Sequence, residues 1–261
     1  MPGPGNPRER SAVVASKGSF VRRALAVARL LLGMALISWR YLWQITPLHR
    51  SEECGDESDL PPALPDDLID ERCQLVGDGT GQLFHRTFSV RIEAGDLDAP
   101  TLMAVVMTDL NRAFPREVAT VQRTLGREGG LRVGDELVVR MPGPWNAPVR
   151  VVACEDTSFR MVTLRGHLEA GQIEFRARPE EKAVRFEIEA WARPSTRLVN
   201  LLYARARLAK EMQLNMWVRC CLRAADLAHG RARGGVHIHT RRTTTCAQEP
   251  RAGPDSTSTC L

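Results

Sequence analysis

The sequence predicts an α+β fold in which a curved antiparallel sheet wraps around a long helix near the C-terminus. Short segments between Phe84 and Ala192 alternate apolar and charged residues, which is typical of strands with one buried and one wet face. Between Arg193 and His229, apolar residues recur at intervals of three, four or seven, which predicts one long helix. A curved sheet cannot cover its own concave face, so a helix laid across it leaves an apolar space between the two.

Residues 1–20 are rich in Gly, Pro, Ser and Arg, which predicts disorder. Residues 21–45 have an apolar, helical pattern, but their unbroken apolar run is about ten residues, whereas a membrane span needs about twenty. Three arginines share one narrow face and two tryptophans lie at the end of the run, which suits a helix in a membrane interface. The residues expected to touch a membrane surface are Arg22, Arg29, Arg40, Trp39 and Trp43.

Two alternatives for residues 21–45 stay open. One is a helix packed against the protein's own domain, and the other is a true membrane span or a signal. With an interfacial helix, we expect a cytoplasmic protein that associates with the inner face of the membrane.

Residues 46–81 combine four prolines with an acidic run from Glu52 to Asp59. This composition predicts a linker or a surface wrap, with one helical turn at Asp66 to Cys73. The folded domain is predicted over residues 82–240 and a disordered tail over residues 241–261.

Within the domain, Phe84, Phe88, Val90 and Ile92 fit an alternating strand. Residues 100–114 carry apolar side chains at helical spacing, and Pro115 closes this helix. The remaining predicted strands are Glu117–Thr124, Asp135–Met141, Val149–Glu155, Ser158–Arg165, Gln172–Ala177 and Ala183–Ala192. A strand, a helix, several antiparallel strands and a long final helix together predict a helix-grip arrangement whose cavity is the expected binding site.

The stripe on the long helix includes Met212 and Met216, and Arg205 and Arg223 fall within it. Such a face either covers a core whose arginines reach out to solvent, or forms one wall of a cavity with a polar or anionic occupant. Methionines adapt to varied apolar ligands, which favours a small apolar molecule or lipid as the partner.

The net charge of +5 comes from arginines spread along the whole chain, without a dense patch of lysines and aromatic residues. Nucleic-acid binding is therefore disfavoured. The seven cysteines are odd in number and lack Cys-x-x-Cys spacing, which argues against a disulfide scaffold and a zinc ribbon. We expect no cofactor and no metal, although His237 and His239 could chelate an ion if a third ligand came near.

Several strings resemble the DUF1990 family, and the string from Gly166 to Phe175 is the most specific of them. The similarity runs through roughly Leu83 to His239. The resemblance implies a START-like helix-grip (SRPBCC) domain that holds lipids, polyketides or other apolar ligands, and it supplies no catalytic residues. Ser38 to Trp43 resemble an extension found in actinobacterial members. The other matching strings are Met141–Trp145, Pro148–Val152, Ser158–Arg160, Phe186–Ile188 and Trp191–Arg193.

His167 and Glu169 lie two residues apart in an extended segment, so both could face one side and share a proton as acid and base. They could equally hydrogen-bond a ligand, or close a turn by bonding to its backbone. Trp145, between prolines, is either a rigid wall at the cavity mouth or a plug of the core.

Three functions follow from these patterns. The first is a binding protein for an apolar small molecule, held near a membrane by residues 21–45. The second is an enzyme on a polyketide-like or lipid-like substrate, with His167 and Glu169 as acid and base and Arg205 or Arg223 holding an anionic end. The third is a structural or partner-binding module without a cavity.

Overall fold

The computed structural model describes residues 47–116, 119–141, 146–196 and 207–243, and the side chains of 207–213 are excepted. The predictions for residues 1–20 and 21–45, and for the tail from residue 244, therefore lie outside the described residues. Within the described residues, no helix is long and apolar enough to cross a membrane.

The described part of the chain forms a nine-stranded sheet with two α-helices. In sheet order the strands are β1, β9, β2, β8, β7, β6, β5, β4 and β3, and all neighbours are antiparallel except β1 and β9. The helices are α1 (Ala99–Thr108) and α2 (Arg207–Leu227). The strands are β1 (Leu48–Cys54), β2 (Leu83–Glu93), β3 (Thr120–Leu125), β4 (Glu136–Arg140), β5 (Asn146–Glu155), β6 (Ser158–Thr163), β7 (Glu169–Glu180), β8 (Ala183–Pro194) and β9 (Arg231–Thr243).

The predicted fold class is confirmed: α2 packs across β2, β8 and β9 on one face of a large antiparallel sheet. Helix α1 is shorter than predicted because it ends at Thr108, and a short 3-10 helix over Leu110–Arg112 follows it. The long helix is also not the last element. Strand β9 follows it and inserts between β1 and β2, so residues 241–243 of the predicted tail belong to the sheet.

The helix-covered face of the sheet holds the main core. Phe88, Phe159, Phe175 and Phe186 point into it from four different strands and are essentially inaccessible to solvent. Trp217 of α2 packs edge-on against Phe175, with ring centroids 5.7 Å apart. Aromatic side chains of this size bury the largest apolar areas of the core, so they fix α2 to the sheet.

The opposite face of the sheet is covered by part of the segment predicted as a linker. Three short 3-10 helices lie along it, over Glu57–Asp59, Asp66–Leu68 and Val76–Asp78. Apolar side chains of this segment and of the sheet form a second buried cluster. The sheet side contributes Val152 of β5, Val162 of β6 and Leu164 just after β6, and the segment contributes Cys73, with Leu64, Leu68 and Leu75 packed against it. Residues 48–54 add the edge strand β1. The proline- and acid-rich segment is therefore a surface wrap that contributes to the sheet and to its outer cover.

Strand β2 supplies a histidine to this outer face. His85 Nδ1 lies 2.7 Å from Asp59 Oδ1, and its Nε2 lies 2.7 Å from Glu189 Oε1. Burial alone would lower the pKa of His85, but the hydrogen bonds to Glu189 and Asp59 outweigh it and raise the pKa above 6.5. Arg176 pairs with Glu189, and Arg241 Nε lies 3.1 Å from Asp59 Oδ1. A protonated His85 thus joins the wrap to the sheet.

The sign of the pH dependence follows from these pKa values. The pKa of His85 is raised, so its contribution is complete below pH 6.5 and is lost as the pH rises through the folded-state value. The pKa values of Asp59 and Glu189 are lowered by the bond to His85 against the effect of burial, so their contributions are lost only as the pH falls below the ordinary values.

We therefore expect the free energy of unfolding to decline above pH 6.5 in the wild-type protein, and this decline to be flatter in His85→Gln. Urea unfolding of both proteins at a series of pH values measures this decline. His229→Gln, at a histidine whose side chain is 73% exposed, serves as the control and should keep the wild-type slope. A decline of equal slope in His85→Gln would show that other groups cause it.

Candidate functional site

The space between the sheet and the helices is largely filled where α2 crosses it. Phe114, Phe159, Phe175 and Trp217 stack or meet edge-on there, with ring centroids 4.8 to 6.1 Å apart. Met216, predicted to line the cavity, is buried in this core. A ligand site has to lie beside this aromatic cluster.

An open cavity of about 240 Å³ lies at the end of α1, against β3 and β4. Its inner wall is apolar and is formed by Met107, Leu110, Val121, Leu131 and Leu137. Its remaining wall is more polar and is formed by Thr108, Asp109, Asn111, Arg123, Glu128 and Gly129. The cavity thus has one apolar side and one polar side, and it is more polar than most small-molecule sites, which are lined mainly by apolar side chains.

Hydrogen bonds hold the walls of this cavity in place. Asn111 binds the backbone of Val121 twice, since its Oδ1 accepts from the amide at 2.7 Å and its Nδ2 donates to the carbonyl at 2.9 Å. The amide of Leu131 donates to the carbonyl of Met107 at 3.1 Å, and an Arg123 guanidinium nitrogen donates to the Gly129 carbonyl at 2.9 Å. The edge strand, the β3–β4 loop and the end of α1 are thus tied together around the cavity.

The β3–β4 loop depends on one glycine conformation. Gly126 has φ +125°, and a Cβ there would collide with the carboxylate of Asp135. Asp135 in turn accepts a hydrogen bond from the amide of Arg132 at 3.0 Å. Only glycine fits at this turn without displacing the loop that forms the cavity rim.

His167 lies in the turn between β6 and β7, and Glu169 is the first residue of β7. Neither lines the cavity described above. The amide of Glu169 donates to His167 Nδ1 at 2.9 Å. Gln74 Nε2 donates to the carbonyls of both residues, at 3.0 and 2.7 Å. Burial lowers the pKa of His167 and outweighs the nearby carboxylate of Glu169. The imidazole therefore accepts a bond that closes its own turn, as the structural alternative predicts.

Among the remaining predicted site residues, the structure describes the side chain of Arg223. Trp145 and Arg205 lie outside the described residues, as does the side chain of Met212. Arg223 is partly buried on α2, near the buried thiol of Cys220, whose pKa is raised by burial.

The two histidines of β9 point away from the helices. The His237 ring stacks on that of His49, with centroids 4.5 Å apart, and His239 Nε2 lies 3.7 Å from a carboxylate oxygen of Glu53. In the part of the chain that the structure describes, no group of three or more His, Cys, Asp or Glu side chains is placed to hold a metal ion.

A comparison with protein families covers the elements that build the cavity. Residues 101–224 match the family described as "Domain of unknown function (DUF1990)". This segment is therefore similar to the DUF1990 family. All residues that line the cavity lie within the DUF1990 match, whereas β1, the wrap over residues 56–78, β2 and β9 lie outside it.

Solved structures resemble the chain only distantly. A hypothetical protein from Helicobacter pylori has 11% identity and a TM-score of 0.41, over 54% of this chain and 86% of its own. CalU16 from Micromonospora echinospora has 17% identity and a TM-score of 0.36, over 58% and 69%. The di-domain ARO/CYC StfQ from the steffimycin biosynthetic pathway has 15% identity and a TM-score of 0.40, over 59% and 52%. Similarities this low carry no argument about ligand or reaction. The sequence has no detectable match among functionally curated proteins.

Proposed function

We propose that the DUF1990-like domain binds an apolar small molecule in the cavity between α1, β3 and β4. The observation that supports this proposal is the combination of an apolar inner wall and a polar outer wall in an open space of about 240 Å³. This volume is somewhat below the range of about 300–1,000 Å³ that is usual for small-molecule sites. The cavity therefore suits a compact ligand or one end of a longer one.

The polar wall indicates what the outer end of the ligand carries. Asp109 and Glu128 carry carboxylates there, and Asp109 Oδ1 also accepts from the Asn111 amide at 3.0 Å. Asn111 and Arg123 are bonded to the protein backbone. Carboxylates only accept hydrogen bonds when ionised. We therefore expect the ligand to have an apolar body and a hydroxyl or amine that donates at its exposed end.

We further propose that residues 21–45 hold the protein at the inner face of a membrane, where apolar ligands partition. The support is the sequence pattern alone, with arginines on one face and tryptophans at the end of the apolar run. Catalysis by His167 and Glu169 has less support, because His167 is bonded into its own turn and neither residue lines the described cavity.

Native mass spectrometry of the full chain, followed by denaturing extraction, tests the binding function. A stoichiometric apolar molecule that copurifies would support it and would identify the chemical class. A protein that carries nothing, and whose melting temperature is unchanged by a panel of apolar ligands, would favour a structural module instead.

A cavity-filling variant tests the location of the site. We expect Val121→Trp to weaken the binding of the probe N-phenyl-1-naphthylamine at least about tenfold, because the indole would occupy the space next to Leu131 and Leu137. Val133→Trp is the matched control on the same hairpin, since Val133 is 50% exposed and does not line the cavity. Fluorescence titration measures both, and equal affinities for the two variants would place the site elsewhere.

A further inference from the structure

Four arginines stand in one row across four neighbouring strands. Arg233 of β9 lies opposite Arg91 of β2, and Arg91 lies opposite Arg185 of β8. Arg185 in turn lies opposite Arg178 of β7. At about 4.8 Å between strands, the row spans about 14 Å. We call these four residues the arginine row.

The arginine row is accessible to solvent on the face that α2 does not cover. The side chains of Arg233, Arg91 and Arg185 are 75%, 40% and 38% exposed, and Arg178 is exposed as well. No Phe, Tyr or Trp belongs to the row. It therefore offers positive charge without the stacking platforms that single-stranded nucleic acids use.

Nearby carboxylates compensate this charge only in part. Glu180 pairs with Arg185 and lies 3.7 Å from Arg91, and Glu93 lies 3.1 Å from Arg91 and 3.9 Å from Arg233. Arg178 makes no ion pair or side-chain hydrogen bond with any residue in the described ranges. Like charges directly opposite each other destabilise a sheet. An anionic partner would offset this repulsion between the arginines, which would explain why they stand side by side.

Further cations surround the arginine row. Lys182 lies at the tip of the β7–β8 hairpin, and Arg231 begins β9. Including these two, the patch has six cations, whereas the carboxylates that pair with the row are Glu93 and Glu180, and Glu181 adjoins Lys182. The patch as a whole is positive, which attracts anionic surfaces over about a Debye length.

The arginine row lies near Pro47, the first residue that the structure describes. The carbonyl of Pro47 accepts a hydrogen bond from the amide of Val236 at 3.0 Å, and Val236 lies three residues after Arg233 in β9. Residue 46 alone separates Pro47 from the end of the 21–45 segment. Pro47, which follows the 21–45 segment in sequence, and Arg233 therefore lie near the same end of β9.

We infer that the arginine row is a docking surface for the headgroups of anionic phospholipids. This inference rests on the membrane association proposed above for residues 21–45. The helix provides the apolar contact, and the row lies against the phosphates of the same leaflet. Each Arg or Lys near an anionic bilayer strengthens binding about fivefold.

The test measures partition of the full-length protein onto vesicles of phosphatidylcholine, with and without an equal part of phosphatidylglycerol. Arg178→Gln with Arg233→Gln removes the two ends of the row, which have the fewest internal contacts. We expect this double variant to lose roughly tenfold to thirtyfold in partition onto the anionic vesicles. The matched control is Arg127→Gln with Arg132→Gln, which makes the same change in net charge at exposed positions of the β3–β4 loop. We expect the control to stay within about twofold of wild type.

Two outcomes would overturn the inference. The first is equal partition of the row variant and the control variant. The second is a row variant that loses affinity for an oligonucleotide in the same buffer but keeps its partition onto anionic vesicles. The proposed function fails independently. An empty protein whose melting temperature is unchanged by a panel of apolar ligands would refute the cavity, and unchanged partition after replacing Arg22, Arg29 and Arg40 by Gln would refute the helix. A melting temperature at or above that of wild type shows that the row variant is folded.

Discussion

Replacing Arg150 with Met is expected to destabilise the protein by about 3–5 kcal/mol. Arg150 donates to Glu136 at 2.8 Å and to Asp70 at 2.7 Å, and another of its nitrogens donates to the carbonyl of Leu68 at 3.0 Å. The side chains of Arg150 and Glu136 are each only 10% exposed. Methionine fills a similar volume but leaves the carboxylate of Glu136 without its buried partner. Glu136 then keeps only the half-exposed Arg72 as a partner, and Asp70 and the Leu68 carbonyl lose their bonds to Arg150.

Arg72 offers a matched control on the same carboxylate. It also pairs with Glu136, but its side chain is 50% exposed. Because solvent screens an ion pair of this kind, Arg72→Met should cost less than about 1 kcal/mol. Urea unfolding of both variants at neutral pH gives the two free energies. Equal costs would mean that burial of Arg150 does not decide the strength of the contact.

The strands could be predicted because their two faces differ in environment. In β7 and β8, Phe175, Phe186 and Ile188 face the buried core, and the residues between them are charged and face the outer side. Apolar and charged residues that alternate with a period of two in the sequence predict such a strand directly. Strand β9 has the same alternation in Val236 and Ile238, but its last residues, 241–243, have the composition of the predicted tail.

The wrap could not be predicted as part of the fold because its contacts are remote in sequence. Asp70 accepts a hydrogen bond from Arg150, and Asp59 is hydrogen-bonded to His85. No local pattern in residues 46–81 predicts either contact. Prolines and acidic residues give the segment the composition of a linker. Its apolar side chains that pack against the sheet, such as Leu68 and Cys73, follow no helical or strand period.

The cavity, like the wrap, could not be predicted from local patterns in the sequence. Met107, Val121 and Leu131 have the pattern of ordinary core residues in the sequence, and only the curvature of the sheet leaves space between them. His167 and Glu169 were predicted from their spacing, which does not determine whether an imidazole bonds to a ligand or to the backbone. The observed bond from the Glu169 amide to His167 selects the backbone.

A chain that begins at Gln82 is expected not to fold cooperatively, although residues 82–240 are the predicted domain and the DUF1990 match begins only at residue 101. The truncation removes β1 and leaves the backbone of β9 as an unpaired edge. It uncovers the apolar cluster of Val152, Val162 and Leu164, whose side chains contribute about 1.5–3 kcal/mol each when fully buried. Together with the lost partners of Arg150, this approaches the total stability of about 5–15 kcal/mol of an ordinary domain.

A chain that begins at Pro47 separates the effect of the wrap from that of the residues before it. We expect this longer chain to unfold in one transition, since it keeps β1 and all the contacts of residues 56–78. Circular dichroism during heating, with binding of an exposed-surface dye, compares the two. The shorter chain should bind the dye and lose the sharp transition, because a sheet without its outer cover exposes apolar surface. A sharp transition of the shorter chain at the same temperature would mean that the helix-covered face alone stabilises the sheet. The wrap would then contribute nothing measurable to the stability of the fold.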